Sequence, residues 1–291
     1  MKIVVTGASG FVGTSLVPFL EQRGHDVVPL SPVQVAGDIC DISPANVEGA
    51  DVVVHLAALA HANDVDPAEV HRVNVEGTRA VQQACEKAEV PRIVFLSSIK
   101  ALAESSVQPL KENDTAAPED AYGRAKLAAE EMLLARDKTR AVIVRPPLVY
   151  GQGIKGNLAR LLRLADSGIP LPFGAVANRR SMIGLANLCS FIAVLCEQDA
   201  PARLYHVADA DSVSLRDLVG AMRSALGRPA RMVPLPAGLL RLVMTLVSSG
   251  DAGKLLDDLE LDTSLARQDL DWLPPVAFAD GIAEMCRETR I

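Results

Sequence analysis

Three short groups of residues have the types and spacing of a reactive site. Tyr122 and Lys126 stand four apart in Tyr122-Gly123-Arg124-Ala125-Lys126, so on a helix the phenol and the ammonium share one face. A free phenol, with a pKa of ~10, is a poor base at pH 7, and the gap is worth about 4 kcal/mol. A neighbouring cation narrows it, which predicts proton transfer by Tyr122 with Lys126 lowering the phenol pKa. The second group, Leu96-Ser97-Ser98-Ile99-Lys100, follows an apolar run. At the carboxyl end of a parallel strand a hydroxyl lies where ligands sit, and Ser98 is the candidate to hold a substrate oxygen; the alternative is a serine pair that merely caps the strand.

The third group is Thr6-Gly7-Ala8-Ser9-Gly10-Phe11-Val12-Gly13, between a β-branched run and a helical stretch. Gly7 permits the tight turn, Gly10 removes a Cβ that would block a pyrophosphate, and Gly13 lets the helix approach its strand. The helix start then offers free N–H groups and a partial positive charge to phosphates. This predicts a dinucleotide site, and an oxidised nicotinamide ring would add a second positive charge beside the phenol. The acid expected about twenty residues onward to hold the adenosine ribose is missing. Pro29-Leu30-Ser31-Pro32 carries neither an acid that favours NAD nor an arginine that favours NADP. Ser31 is either a donor to the ribose or a turn residue, so the sequence leaves NAD or NADP open. Asp38, in Gly37-Asp38-Ile39-Cys40-Asp41, is the next acid available to the adenine end.

These groups need strands that end at them and helices that begin at them. Apolar runs predict strands over 3–6, 26–30, 52–56, 92–97 and 141–145, with helices over 11–23, 67–88 and 122–135 between them. The alternation predicts an α/β fold, a Rossmann-type doubly wound parallel sheet, followed by a smaller C-terminal α+β substrate lobe. After Arg145 the texture changes through Pro146-Pro147 and Gly151-Gln152-Gly153. Residues 1–150 are read as the dinucleotide-binding domain, with 184–205 packing back on it. Residues 151–183 and 206–291 are read as the substrate lobe, with helices over 157–165, 185–197 and 215–226. Ser214 and Asp217 form a capping pair for the last of these.

Composition narrows the function classes. The 291 residues carry 29 Lys and Arg against 36 Asp and Glu, a formal charge of −7, so bulk nucleic-acid binding is not expected. No apolar run of about eighteen residues occurs, so no membrane span is expected; the apolar stretch 237–247 reads as a core-facing helix. The short apolar run Ile3-Val4-Val5 before the glycine turn is too short for a signal peptide, so a secretory leader is not expected. The five sparse cysteines read as buried hydrophobes in a reducing compartment, and a cytoplasmic location is expected. The five histidines lack metal-ligand spacing, so no metal site is expected, and His61 reads as a loop residue.

The three groups together resemble the extended short-chain dehydrogenases/reductases, specifically the NAD-dependent nucleotide-sugar epimerase/dehydratase family. The resemblance spans most of the chain and includes His55-Leu56-Ala57-Ala58, Asn74-Val75-Glu76-Gly77-Thr78, Arg145-Pro146-Pro147-Leu148-Val149-Tyr150-Gly151 and Arg179-Arg180-Ser181. It implies that Gly7, Gly10, Phe11, Val12 and Gly13 hold the cofactor and that Asp38 and Ile39 meet the adenine. It also implies that Leu56, Ala57, Ala58 and Asn74 line the cofactor, that Ser98, Tyr122 and Lys126 are catalytic, and that Lys126 also binds ribose. Asn157 and Arg180 match positions that hold a substrate diphosphate. Relatives commonly form a homodimer through a four-helix contact that includes the Tyr122 helix.

Departures from the family pattern narrow the reaction. The 4,6-dehydratases carry an Asp-Glu pair where this chain has Ile99-Lys100, so that elimination lacks its acid and base. The tail lacks a second phosphate-binding arginine common in UDP-galactose 4-epimerases, with Lys254 as a substitute point charge. The expectation is an enzyme for oxidoreduction at C4 of a nucleotide-diphospho-sugar, as 4-epimerase or 4-ketoreductase, of the kind found in surface-polysaccharide pathways. The alternative is a catalytically silent NADP-sensing or scaffold protein of the same fold.

Overall fold

The computed structural model describes residues 1–35, 37–60, 65–201, 203–236, 238, 240 and 256–288. His61, Lys254 and most of the 237–247 stretch lie outside the described residues.

Six strands form one wholly parallel sheet: β1 (Lys2–Thr6), β2 (Asp26–Leu30), β3 (Val52–His55), β4 (Arg92–Leu96), β5 (Arg140–Arg145) and β8 (Leu204–His206), in the order β2-β1-β3-β4-β5-β8. Alternate residues of each strand feed opposite cores, as the pleat requires. Ile3, Val5, Val52 and Val54 pack with α1 (Gly13–Gln22) and α6 (Leu185–Glu197). Val4, Val53, Ile93 and Phe95 pack with α3 (Gly77–Lys87) and α4 (Ala121–Leu134) on the other face. The strand order reverses between β1 and β3, where Thr6 stands level with His55. A crevice therefore opens past the carboxyl ends of these two strands.

The stretch 67–88 is not one regular helix. It divides into α2 (Pro67–His71), a π turn over Arg72–Glu76, and α3. Two features accompany the widened turn. Thr78 Oγ1 donates to the Asn74 carbonyl at 2.7 Å, and a Cβ on Gly77 would meet Ile39 Cγ2 at 2.5 Å.

A second core gathers Leu158, Leu161 and Leu162 of α5 (Gly156–Asp166), Leu218 and Met222 of α7 (Leu215–Ala225), and Ile282 and Met285 of α9 (Phe278–Glu288). The Ser214–Asp217 pair forms the expected capping box, with Asp217 N–H donating to Ser214 Oγ at 3.0 Å. The sheet core also takes in Ala266 and Leu270 of α8 (Ser264–Leu270). Three strands escape a period-two reading because each has only three residues: β6 (Leu148–Tyr150), β7 (Met182–Gly184) and β8. The first two pair in parallel beside the main sheet. Tyr150 joins the lobes: its hydroxyl donates to Asp209 Oδ2 at 2.7 Å, and Asp209 Oδ1 accepts from Asn187 at 2.7 Å.

The loop between β4 and α4 is tied down by the tail. Ser106 N–H donates to Asp258 O and Leu110 N–H to Glu260 O, both at 2.8 Å, while Ser181 N–H reaches Leu259 O at 2.8 Å from the other side. Residues 258–260 therefore link that loop to the segment carrying Arg180. Among the described residues no helix is long and apolar enough to cross a membrane.

Candidate active site

The three glycines of the first turn do different jobs. Gly7 has φ +68°, and a Cβ there would meet Ala57 N at 2.7 Å, so β1 and β3 can close on each other only with glycine. At Gly13 a Cβ would overlap the Gly7 carbonyl and the backbone of Ala8, which seats α1 against its own turn. At Gly10 a Cβ would meet only the Gly7 oxygen, at 3.1 Å, so the space on that side is open. The cap residue of α1, Val12, offers no side-chain hydrogen bond, and the first turn holds no acid. An open turn with uncapped amides fits the pyrophosphate of a dinucleotide.

Tyr122, Ser98 and Lys126 converge past the carboxyl end of β4. Ser98 follows β4 and caps a short 3-10 turn, its Oγ accepting from Lys100 N–H at 3.2 Å. The capping reading of this serine therefore holds, and its hydroxyl also reaches the Tyr122 phenol. Lys126 is 1% exposed and donates to the Leu96 carbonyl at 2.8 Å. Its Nζ lies 4.4 Å from the Phe95 ring centre and 5.9 Å from that of Tyr122. The four-residue spacing has placed phenol and ammonium side by side.

The electrostatics differ from expectation. Burial raises the Tyr122 phenol, the Asp120 carboxylate pushes it the same way, and the Ser98 hydroxyl is the group that pulls it down. Lys126 does not set the phenol in the unliganded chain. Its own burial lowers its pKa to about 7, against the pull of Glu130, so at neutral pH its positive charge is only partial. The same desolvation that positions the pair weakens the cation.

Around these three the structure arranges the other candidates. Leu56, Ala57 and Ala58 run past the glycine turn from the end of β3. Asn74 brackets the same segment, accepting from Leu59 N–H at 2.8 Å and donating to Leu59 O at 3.2 Å. The Ser31 N–H, at 2.9 Å, and the Ser31 hydroxyl both donate to Gln34 Oε1. Asp38 accepts from Cys40 N–H at 2.9 Å and pairs with Arg72, which Glu69 also holds. Its carboxyl lies below the usual range, chiefly from the Cys40 amide and Arg72. Ile39 packs against α3 at Gly77. Phe11 bridges both cores. In the other lobe Asn157 is exposed in the first turn of α5. Arg180 donates to the Asp257 carbonyl at 2.8 Å, with Asp257, Asp258 and Glu104 as its charged neighbours.

Several residues of the site had no local signal. Lys100 Nζ lies 2.8 Å from Asp120 Oδ2 and 3.6 Å from Glu104 Oε1. Asp120 caps α4, accepting from Gly123 N–H at 2.6 Å. A Cβ on Gly123 would overlap the Lys100 carbonyl, so this glycine lets the Tyr122 helix sit on the Ser98 turn. Behind Lys126, the buried Glu130 accepts from Ser97 and takes Arg145 Nη2 at 2.5 Å. The capping pattern before Tyr122 could have revealed Asp120; the others come from distant parts of the chain.

Residues 3–208 match the family described as NAD dependent epimerase/dehydratase. The chain is 34% identical to a UDP-glucose 4-epimerase of Vibrio cholerae, over 97% of this chain and 94% of that one. It is 31% identical to the N-acetyl-alpha-D-glucosaminyl-diphospho-ditrans,octacis-undecaprenol 4-epimerase of Escherichia coli O157:H7, covering 82% and 77%. Its fold is that of the UDP-N-acetylglucosamine 4-epimerase from Bacillus cereus, at TM-score 0.81, 21% identity, and coverage of 100% and 96%. With the glycine turn and the Ser98 turn both at the carboxyl edge of one parallel sheet, the match over most of the chain makes this protein an enzyme of the NAD-dependent epimerase/dehydratase family.

Proposed function

We propose that the chain carries out NAD(P)-dependent oxidoreduction at C4 of a nucleotide-diphospho-sugar, as a 4-epimerase or a 4-ketoreductase. The observation that carries this reading is the grouping of Ser98, Tyr122 and Lys126 past the carboxyl end of β4, in the same parallel sheet whose β1 runs into the Gly7–Gly13 turn. Gly7, Gly10, Phe11, Val12 and Gly13 would hold the pyrophosphate, Asp38 and Ile39 the adenine end, Leu56 to Ala58 the middle, and Lys126 the ribose near Tyr122. Bound there, the dinucleotide supplies or accepts the hydride.

Tyr122 exchanges its phenolic proton with the C4 oxygen of the sugar, and Ser98 Oγ orients that oxygen by a second hydrogen bond. Burial keeps the phenol protonated at neutral pH, which suits it as the acid that completes a reduction. Lys126, anchored on the Leu96 carbonyl, holds its ammonium next to the ring and gives the developing phenolate a partner. Arg180 would offer a planar fork to a diphosphate, and Glu104 is a charged neighbour of Arg180 and pairs with Lys100, which supports a substrate lying between these residues and Ser98. The names of the relatives from Vibrio cholerae and Escherichia coli support a hexose or N-acetylhexosamine carried on UDP or on a lipid diphosphate.

Incubation with UDP-glucose, UDP-N-acetylglucosamine and their 4-keto counterparts, followed at the absorbance of reduced cofactor, tests the reading. Sugar inversion without net cofactor consumption marks an epimerase, and stoichiometric oxidation of NAD(P)H marks a reductase. Tyr122→Phe is expected to retain NADH binding and lose about 10²- to 10⁴-fold in kcat. Full turnover in that variant overturns the assignment.

A further inference from the structure

We propose that Lys100 and Asp120 are positioning residues, closing a ring of hydrogen bonds that fixes the Ser98 hydroxyl against the Tyr122 phenol. The inference rests on the proposed roles of Ser98 and Tyr122. The ring can be followed atom by atom. The Lys100 amide donates to Ser98 Oγ at 3.2 Å; the Lys100 ammonium meets Asp120 Oδ2 at 2.8 Å; Asp120 Oδ1 accepts from Gly123 N–H at 2.6 Å. The phenol, next to Gly123, returns to Ser98. Each member is bonded to, or adjacent in sequence to, one of the two reacting hydroxyls.

A lone ion pair with side chains 41% and 31% exposed stabilises a fold very little. Geometry is what this pair controls. The Lys100 carbonyl packs where only a glycine fits, so the Ser98 turn and the first turn of α4 touch directly, and the ion pair spans the same junction. Release of that junction lets Tyr122 shift against Ser98, and a misplacement of about 1 Å at reacting groups costs about a hundredfold in rate.

Charge works in the same direction. The groups that act on the phenol are Asp120 from the cap of α4 and Ser98 from the turn after β4, with Lys126 of α4 5.9 Å from the ring centre. Asp120 pushes the phenol up even while paired with Lys100, and Glu104 shares its carboxyl contact with Asp120. Loss of Lys100 therefore leaves Asp120 uncompensated, and loss of the Asp120 charge relieves the phenol.

The test compares Lys100→Met, Asp120→Asn, the double variant and Lys100→Arg, with Tyr122→Phe as reference. The probes are NADH fluorescence, kcat and KM for UDP-glucose and UDP-N-acetylglucosamine, the pH profile of kcat, and amide exchange at Gly123. Both single variants are expected to lose about 10- to 100-fold in kcat with KM and NADH affinity within about twofold. The double variant should be no worse than the poorer single one, because a ring is broken once. Lys100→Arg should keep most turnover. The alkaline limb should move up about half a unit in Lys100→Met and down in Asp120→Asn. Single variants with kcat within twofold of the parent, while Tyr122→Phe is inactive, overturn the ring alone. Equal losses of kcat and NADH affinity also overturn it, since they indicate general damage. An active Tyr122→Phe overturns the reading on which the ring rests.

Discussion

The two walls of the crevice are built on opposite principles. The wall formed by Gly7, Gly10, Gly13, Ala57 and Ala58 is made by leaving atoms out, with backbone packed on backbone and no ionisable side chain. The other wall, from Ser98 to Lys126, is made by adding charge: Asp120 and Lys126 act beside the phenol, Lys100 and Glu104 gather on Asp120, and Glu130 and Arg145 are buried behind. The first wall should be sensitive to volume and indifferent to pH. The second should tolerate changes of shape and respond to charge.

The strongest break in that contrast comes from Lys126→Met, nearly isosteric but uncharged. It is expected to lose about 10²- to 10³-fold in kcat while remaining folded. Its stability should show the sign of a buried base. The folded pKa of about 7 lies below the ordinary amine value, so between the two the unfolded chain binds a proton that the native chain does not, and native stability rises with pH across that window. Below pH 7 the parent carries the full cost of the buried charge. Urea unfolding should therefore show the variant's advantage largest near pH 6 and smallest near pH 10; a pH-independent difference would remove the charge argument.

On the glycine wall, Gly13→Ala and Gly10→Ala separate packing from binding. Gly13→Ala forces a Cβ into backbone and should cost about 1–3 kcal/mol of stability in thermal melts. Gly10→Ala meets only the Gly7 carbonyl oxygen, at 3.1 Å, and should cost less in the melting curve than Gly13→Ala while weakening NADH binding, measured by fluorescence. Equal melting losses in both would show that Gly10 faces protein. The smallest effect belongs to Asn74→Ala, which frees Leu59 from its two hydrogen bonds. Leu59 is half-exposed and water can replace the amide, so a loss of about 1 kcal/mol is expected, read as faster amide exchange over residues 57–60.

How much of this was legible depended on the range of the interaction. The glycine turn, the Tyr122–Lys126 pair and the Ser214–Asp217 cap are contacts within a turn or two of chain, and their spacing encodes them. His55 shows the limit. As part of His55-Leu56-Ala57-Ala58 it carried family resemblance, yet its place between Thr6 Oγ1 at 2.7 Å and Thr78 Oγ1 at 3.0 Å depends on strands and a helix far apart in sequence. Burial lowers its pKa to about 3, so it is a neutral bracket in the core. The bond from Ser31 to Gln34 was not legible either, because it depends on the Gln34 side chain turning back onto it.

The sequence by itself determined where phosphate can be met by bare amides, which phenol has an amine neighbour, and that a parallel sheet presents both at its carboxyl edge. Those are local facts, set by side-chain period and by the absence of Cβ atoms. The tertiary structure alone decided that Lys100, Glu104 and Asp120 share a corner with Ser98, that β8 completes the sheet, and that the phenol is raised and the amine lowered. Desolvation and long-range charge depend on everything packed around a group, and that packing exists only once the strand order is set.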